Sequence, residues 1–168
     1  MAIIKIKSTN NMDNLVNYIQ DDKSHNDNIL YCNAIGVDPA AAARDMQLCK
    51  MAYCKTKGSQ GKHLIVALSK QEEAKIVADN KVEKTADEIA DIIYSNTGCQ
   101  VAYAVHGNTD NLHIHYALNS VRIADGYKMQ LNYKSKYQLE AEIKNILSNK
   151  KHNALNHKKA VHYCVAIL

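Results

Sequence analysis

Phenylalanine and tryptophan are absent from the sequence, and proline occurs once in 168 residues. The ten tyrosines therefore supply every large aromatic side chain. No segment reaches the roughly 20 consecutive apolar residues of a membrane helix, and the N-terminus lacks the long apolar region of a signal peptide. With 46% hydrophobic residues, the chain can still bury a core. We therefore expect a cytoplasmic protein that does not insert into a membrane.

The cysteine count and the charge say less about function. The five cysteines are an odd number without a CxxC pair, a pattern that disfavours a disulfide framework and excludes a zinc finger. The net charge of +4 is weak evidence for a nucleic-acid partner. The length predicts a single domain over residues 1–168.

Five segments have the alternation or the apolar run of a β-strand. They cover residues 2–8, 29–35, 63–69, 100–106 and 112–121. The last two are joined by residues 107–111, a connection short enough to predict a hairpin. The apolar tail over residues 160–168 is a candidate for one more strand.

Apolar stripes and capping residues mark the helices. The first helix has an apolar stripe made of Met12, Leu15, Val16 and Ile19. The second begins at Asp38 and Pro39. Capping boxes predict the next two helices, at Ser69 with Glu72 and at Thr85 with Glu88. A last helix covers residues 135–147, and the whole pattern indicates an α+β fold with an antiparallel sheet and helices on one face.

The most informative segment is HGNTDNLHIHYALNS, over residues 106–120. Side chains alternate between the two faces of a strand, so one face is apolar and carries Leu112, Ile114, Tyr116 and Leu118. His113 and His115 point to the other face, and so does His106 on the preceding strand. Pairing of the two strands brings these imidazoles together on the face that is not the core.

Three converging imidazoles have the geometry of a metal site. The alternative is that these are surface histidines that lie together by chance. Chance would be the better explanation for a single histidine, but it is a poor one for three histidines on one face. Imidazole suits Mn, Zn, Ni, Co and Cu, and three ligands leave coordination positions open for a substrate. We therefore expect a divalent metal ion at His106, His113 and His115.

The same segment resembles the third motif of MobA/VirD2-type conjugative relaxases, which belong to the HUH endonuclease superfamily. That motif has a histidine, an HxH seven residues later and an asparagine four residues further on, matched here by His106, His113, His115 and Asn119. Asn108 stands where the family usually has aspartate. Residues 14–23, NLVNYIQDDK, look like the family's first motif, and residues 63–69, HLIVALS, look like its second.

This resemblance implies a site- and strand-specific enzyme that nicks the origin of transfer of a bacterial mobile element. In the family, a tyrosine attacks the scissile phosphate and becomes joined to the 5′ phosphate, and the joint is later reversed. The related fold is a five-stranded antiparallel sheet of the ferredoxin or RRM kind, with helices mainly on one face and the metal site on the open face. The implied cofactor is Mg²⁺ or Mn²⁺, with Zn, Ni or Co as substitutes in vitro. The implied partners are single-stranded origin DNA, accessory relaxosome proteins and a coupling protein.

The resemblance also assigns roles to single residues. It favours Tyr18 as the nucleophile, since this residue lies beside the apolar stripe of its helix and can leave the core; Tyr31 is second. Lys23 is the last residue of the first motif and is a candidate contact to DNA or to a metal ligand. Ser69 would touch DNA near the cut or serve only as a helix cap. His63 would contact DNA or a metal ligand. The alternative is a structural histidine whose hydrogen bonds are made within the sheet.

Two further polar residues keep alternatives open. Asn119 either orients a metal-binding histidine or makes local hydrogen bonds. Lys62 is a candidate contact to the DNA backbone in a salt-sensitive groove, as are Lys128, Lys134 and Lys136.

Other functions remain as alternatives. A replication initiator or transposase of the same superfamily usually has its tyrosine after the histidine motif, where this chain has Tyr133 and Tyr137. A non-catalytic module that binds DNA or stores metal would have the histidines without the nucleophile. The tyrosine that precedes the histidine motif favours the relaxase.

Overall fold

The strands form one antiparallel sheet of five members. We describe residues 1–20, 28–107 and 111–148 from a computed structural model of the chain. The strands are β1 (Ile3–Thr9), β2 (Ile29–Ile35), β3 (Gly61–Ala67), β4 (Cys99–His106) and β5 (His113–Arg122). Their order across the sheet is β1-β3-β5-β4-β2. The predicted α+β fold and the β4–β5 hairpin are therefore confirmed, whereas the tail strand over residues 160–168 lies outside the described residues.

Five α-helices connect or flank these strands in the described part of the chain. They are α1 (Met12–Gln20), α2 (Ala42–Ala52), α3 (Lys70–Ala78), α4 (Val82–Thr97) and α5 (Tyr133–Leu147). Ser69 caps α3 in the predicted box with Glu72. The second predicted box is wrong, because α4 begins at Val82 and Thr85 lies inside it and is buried. The first residue of α4 is therefore set more by the packing of its apolar side than by the capping pattern.

The main core lies between the sheet and the layer formed by α3, α4 and α5. The alternate residues Val101, Tyr103 and Val105 of β4 enter this core. On β5, the predicted apolar face with Ile114, Tyr116 and Leu118 does the same. Alternation of side chains along the two central strands therefore predicted the core face correctly.

The opposite face of the sheet is not open along its whole length. Helices α1 and α2 pack on it and form a second, smaller apolar cluster. In this cluster Met12, Val16 and Ile19 of α1 contact the small residues Ala102 and Ala117 of the sheet. The prediction of helices mainly on one face is confirmed, since α3, α4 and α5 form that layer, while α1 and α2 cover part of the histidine face. The two helices cover the histidine face at Ala102 and Ala117, where the side chains of the sheet are small.

Within the described ranges, no helix is both long enough and apolar enough to cross a bilayer.

Candidate active site

The β4–β5 hairpin brings the three predicted histidines together. His106 lies directly opposite His113, and His115 lies opposite Ala104. One ring nitrogen from each of the three histidines lies within 4.8 Å of the others. His106 and His115 are almost completely buried, whereas His113 is half-buried. The sequence prediction of a converging trio is thus matched by the geometry.

Backbone carbonyls hold two of the three rings. Nε2 of His106 lies 2.9 Å from the carbonyl oxygen of Ile19, and Nδ1 of His113 lies 3.1 Å from that of Asn111. A carbonyl only accepts, so each of these nitrogens carries the proton. Contacts of this kind fix the tautomer and ring orientation of metal-binding histidines. They come from the backbone, so no side-chain pattern in the sequence could have indicated them.

His115 is held by another histidine. Its Nδ1 lies 2.8 Å from Nε2 of His63 on the neighbouring strand β3. Its other nitrogen, Nε2, is buried and has no hydrogen-bond partner. A buried nitrogen without a partner costs free energy unless something satisfies it. This unsatisfied nitrogen in a three-imidazole pocket fits a divalent metal ion, and His106, His113 and His115 are the residues that would hold it.

Burial keeps His115 and His63 uncharged near neutral pH. It is the main cause that lowers the pKa of His115 to about 3, and the neighbouring histidines add to this effect. It also lowers the pKa of His63 to about 4, with smaller contributions from Lys7 and His106. His63 and His115 are therefore neutral near pH 7, which is the form in which imidazole binds metal.

Tyr18 lies beside this pocket. Its ring centroid is 5.7 Å from that of His115 and 6.0 Å from that of His63, and both contacts are edge-on. Its neighbours Val16 and Ile19 point into the smaller core, which turns Tyr18 to the side of α1, where it remains 36% exposed. Helix α1 therefore brings a phenol that solvent can reach next to the histidines.

The rival tyrosines lie elsewhere. The hydroxyl of Tyr31 donates to the Asp87 carboxylate, and its ring packs against the main core on the face opposite the histidines. The bond to Asp87 adds to burial, and together they raise the pKa of Tyr31. Tyr133 and Tyr137 are strongly exposed on α5, which packs on the same opposite layer. Of these four tyrosines, only Tyr18 contacts the histidine pocket.

The hydrogen bonds of the Asn119 side chain go to residues other than the three histidines. Its amide nitrogen donates to the Met46 carbonyl at 3.0 Å and to the Gln100 side chain at 2.7 Å. Its oxygen accepts from the Ser120 backbone. The side chain is completely buried between β5 and α2. Local hydrogen bonding, the alternative left open from the sequence, is therefore the role seen, and Asn119 anchors α2 to the sheet.

The remaining predicted contacts are dispersed. Ser69 lies past the end of β3, and its hydroxyl is part of the α3 capping box. Lys62 points to the sheet face opposite the histidines, since it pairs with Leu118, and its ammonium group donates to Ser8. The structure does not bring Lys62 to the pocket. Lys23 and Asn108 lie outside the described residues.

The fold and the pocket together define an α+β protein with three converging histidines, which could hold a metal ion, beside a tyrosine on a helix. Residues 18–164 match the family described as "Relaxase: MobA/VirD2-like, nuclease domain". The chain therefore belongs to the MobA/VirD2-like relaxases, as the histidine motif predicted. The match is to the nuclease domain of these relaxases.

Individual relatives agree with this family. Protein rlx of Staphylococcus aureus is 28% identical over 142 residues, which cover 83% of this chain and 38% of that protein. The chain thus spans well under half the length of this curated relative.

Two solved structures share the fold. One, described as the molecular basis of vancomycin resistance transfer in Staphylococcus aureus, has a TM-score of 0.61 at 14% identity and covers 97% of this chain and 100% of its own. The MobM relaxase domain bound to a 26-nucleotide oriT DNA has a TM-score of 0.56 at 15% identity, with coverages of 98% and 97%.

Proposed function

We propose that this chain is the nicking domain of a relaxase that cleaves one strand at an origin of transfer and later rejoins it. The observation that carries the proposal is the contact of Tyr18 with the histidine pocket, at 5.7 Å between the ring centroids of Tyr18 and His115. A phosphodiester seated against the pocket would meet the tyrosine hydroxyl without a rearrangement of the sheet.

The proposed step exchanges one phosphate ester for another. The Tyr18 oxygen attacks the phosphorus and loses its proton, while the bond from phosphorus to the 3′ oxygen breaks. The departing 3′ oxygen takes up a proton and becomes a free hydroxyl, and the 5′ phosphate stays on the tyrosine. The number of ester bonds does not change, so attack by a 3′ hydroxyl reverses the step and closes the strand.

His106, His113 and His115 would hold a divalent ion such as Mg²⁺ or Mn²⁺. When bound, it would polarise the phosphate and offset the negative charge that builds on its oxygens. The chain itself supplies the alignment. The His106 bond to the Ile19 carbonyl joins the pocket to the helix that carries Tyr18. Ile19 directly follows Tyr18 in the chain, so its carbonyl fixes the position of His106 relative to the proposed nucleophile.

The proposed substrate is single-stranded DNA of the origin. Its support is the family, together with the fold shared with the MobM domain, a protein described as bound to oriT DNA. Accessory relaxosome proteins and a coupling protein are the further partners that we propose, in the bacterial cytoplasm. We also propose that residues 1–168 act as one nicking domain.

A replication initiator is the weaker candidate. Its nucleophile would be Tyr133 or Tyr137, but both belong to α5, on the layer opposite the histidines. The position of Tyr18 on α1 favours the relaxase.

Denaturing gel electrophoresis tests the proposed function. Labelled single strands, tiled across the DNA that flanks the gene for this chain, are incubated with the protein with and without Mn²⁺ or Mg²⁺. We expect a covalent protein–DNA band that requires the metal and is absent in His113→Ala. Complete tiling of both strands without any such band would contradict a nicking activity of this chain alone.

A further inference from the structure

We propose that His63 is a positioning residue, which holds His115 in the tautomer that presents Nε2 to the metal. This inference rests on the proposed function, because it concerns the metal pocket. It goes beyond that function by assigning the direction of one hydrogen bond and a purpose to a histidine outside the trio. Its basis is the contact between Nε2 of His63 and Nδ1 of His115, at 2.8 Å.

Only one proton fits between two ring nitrogens at this distance, so one ring donates and the other accepts. If His63 donated, the proton of a neutral His115 would lie on Nε2. That nitrogen is buried and has no acceptor, and a protonated nitrogen cannot bind a metal. If His115 donates from Nδ1, its Nε2 carries a lone pair and faces the pocket. The second arrangement is the one that satisfies both nitrogens once a metal is present.

The register of the sheet makes this contact. Ile65 of β3 lies opposite His115, and His63 lies opposite Ala117, two positions along. Directly opposed residues share a face of the sheet, so His63 reaches His115 diagonally on the histidine face. The two rings are tilted by 30° with centroids 5.1 Å apart. The small side chain of Ala117 leaves the room that this diagonal contact needs.

His63 does not replace a ligand. The cluster whose ring nitrogens converge within 4.8 Å consists of His106, His113 and His115. Nε2 of His63 already contacts Nδ1 of His115, on the side of that ring away from its Nε2. His63 therefore acts on the metal through His115, in the way that carbonyls of Ile19 and Asn111 act on the other two rings.

Metal titration of two variants tests whether His63 acts as a hydrogen-bond acceptor for His115 or only fills space. His63→Leu keeps much of the volume and removes the acceptor, and we expect it to weaken Mn²⁺ binding by about 10–100-fold. The amide oxygen of Gln reaches about as far as Nε2 of histidine, so His63→Gln should recover most of this loss. Equal affinity in wild type and a folded His63→Leu protein would overturn the proposal, and so would equal losses in both variants.

A spectrum of the metal-free protein tests the hydrogen-bond direction itself. Long-range ¹H–¹⁵N correlation distinguishes the two neutral histidine tautomers. We expect His115 to carry its proton on Nδ1 in the wild type, whether or not any variant folds. A proton on Nε2 would contradict the proposal. If the tautomer is as expected but Mn²⁺ does not bind the wild type, the proposed metal-dependent function fails while the histidine pair stands.

Discussion

Tyr18 on α1 is partly exposed to solvent, and its buried neighbours hold it in position. The buried residues on either side of it, Val16 and Ile19, hold α1 against Ala102 and Ala117. The phenol consequently reaches solvent while its ring edge contacts His63 and His115. A nucleophile must be both accessible and well placed, since small misalignments cost large factors in rate.

The first prediction concerns this hydroxyl. Tyr18→Phe removes one oxygen and leaves the ring contacts, so the protein should still bind Mn²⁺ and oligonucleotide but form no covalent adduct. Tyr137→Phe is the matched control, because Tyr137 is exposed on the opposite layer. It should form adduct at the wild-type level. Both are read by the denaturing gel, and an adduct in Tyr18→Phe would mean that another residue attacks.

The second prediction concerns Asn119. The histidine motif suggested that it belongs to the site, whereas in the structure its side chain links β5 to α2. Asn119→Ala leaves the Met46 carbonyl and the Gln100 side chain without their buried donor. The loss should lower the free energy of unfolding by about 1–3 kcal/mol, measured by urea denaturation. Mn²⁺ affinity of the folded variant should stay unchanged. Asn145→Ala, at an exposed site on α5, should change the stability by less than about 0.5 kcal/mol. A loss of Mn²⁺ affinity without a loss of stability would contradict this prediction and would show that Asn119 supports metal binding.

At the scale of single residues, the sequence predicted the convergence of the three histidines but not the contacts that orient them. Alternation along β4 and β5 was sufficient to place His106, His113 and His115 on one face. The partners of the three rings come from the carbonyls of α1 and residue 111, and from a histidine one strand away. Those contacts depend on how α1 docks and on the register of β3, neither of which a local pattern encodes.

At the scale of elements, α1 is the helix that places Tyr18, the proposed nucleophile, beside the histidines of the sheet. Its docking requires close approach at the start of β3. A Cβ at Gly61 would lie 2.3 Å from Sδ of Met12 and 2.4 Å from the carbonyl oxygen of Leu118. The thioether can move, but the backbone carbonyl cannot move without disturbing the β3–β5 pairing.

The third prediction follows from this contact. Gly61→Ala should lower the free energy of unfolding by about 1–3 kcal/mol through overpacking and should reduce adduct formation, because α1 is displaced. The neighbouring Lys62→Ala, on the other face of the sheet, should change the stability by less than about 0.5 kcal/mol. Urea denaturation and the adduct gel check both. A fully stable and active Gly61→Ala protein would show that α1 tolerates a shift.

The elements and the main helix layer were largely predictable, and the docking of α1 and α2 on the other face of the sheet was not. The stripe of Met12, Leu15, Val16 and Ile19 correctly predicted the buried side of α1. Nothing in that stripe says which surface it covers. The sequence therefore did not indicate that α1 and α2 approach the histidine face where Ala102 and Ala117 are small. Small residues on a strand were the available signal.

At the scale of the whole molecule, the net charge of +4 is modest for a protein that binds DNA. The fourth prediction is that oligonucleotide binding still weakens as salt rises, with a log–log slope of about −0.7 for each phosphate neutralised. Fluorescence anisotropy over a series of NaCl concentrations measures it. Metal-free protein serves as the control that separates the contribution of the metal from that of the lysines. An affinity independent of salt would argue against contacts to the phosphate backbone.

The central claim is that Tyr18 and the histidine pocket form one reaction centre. Mass spectrometry of the trypsin- and nuclease-digested adduct, formed with Mn²⁺ and an oligonucleotide of the flanking DNA, tests this claim most directly. We predict a single modified peptide, with the nucleotide phosphate on Tyr18. A phosphate on Tyr133, Tyr137 or any residue away from the histidine face would contradict it.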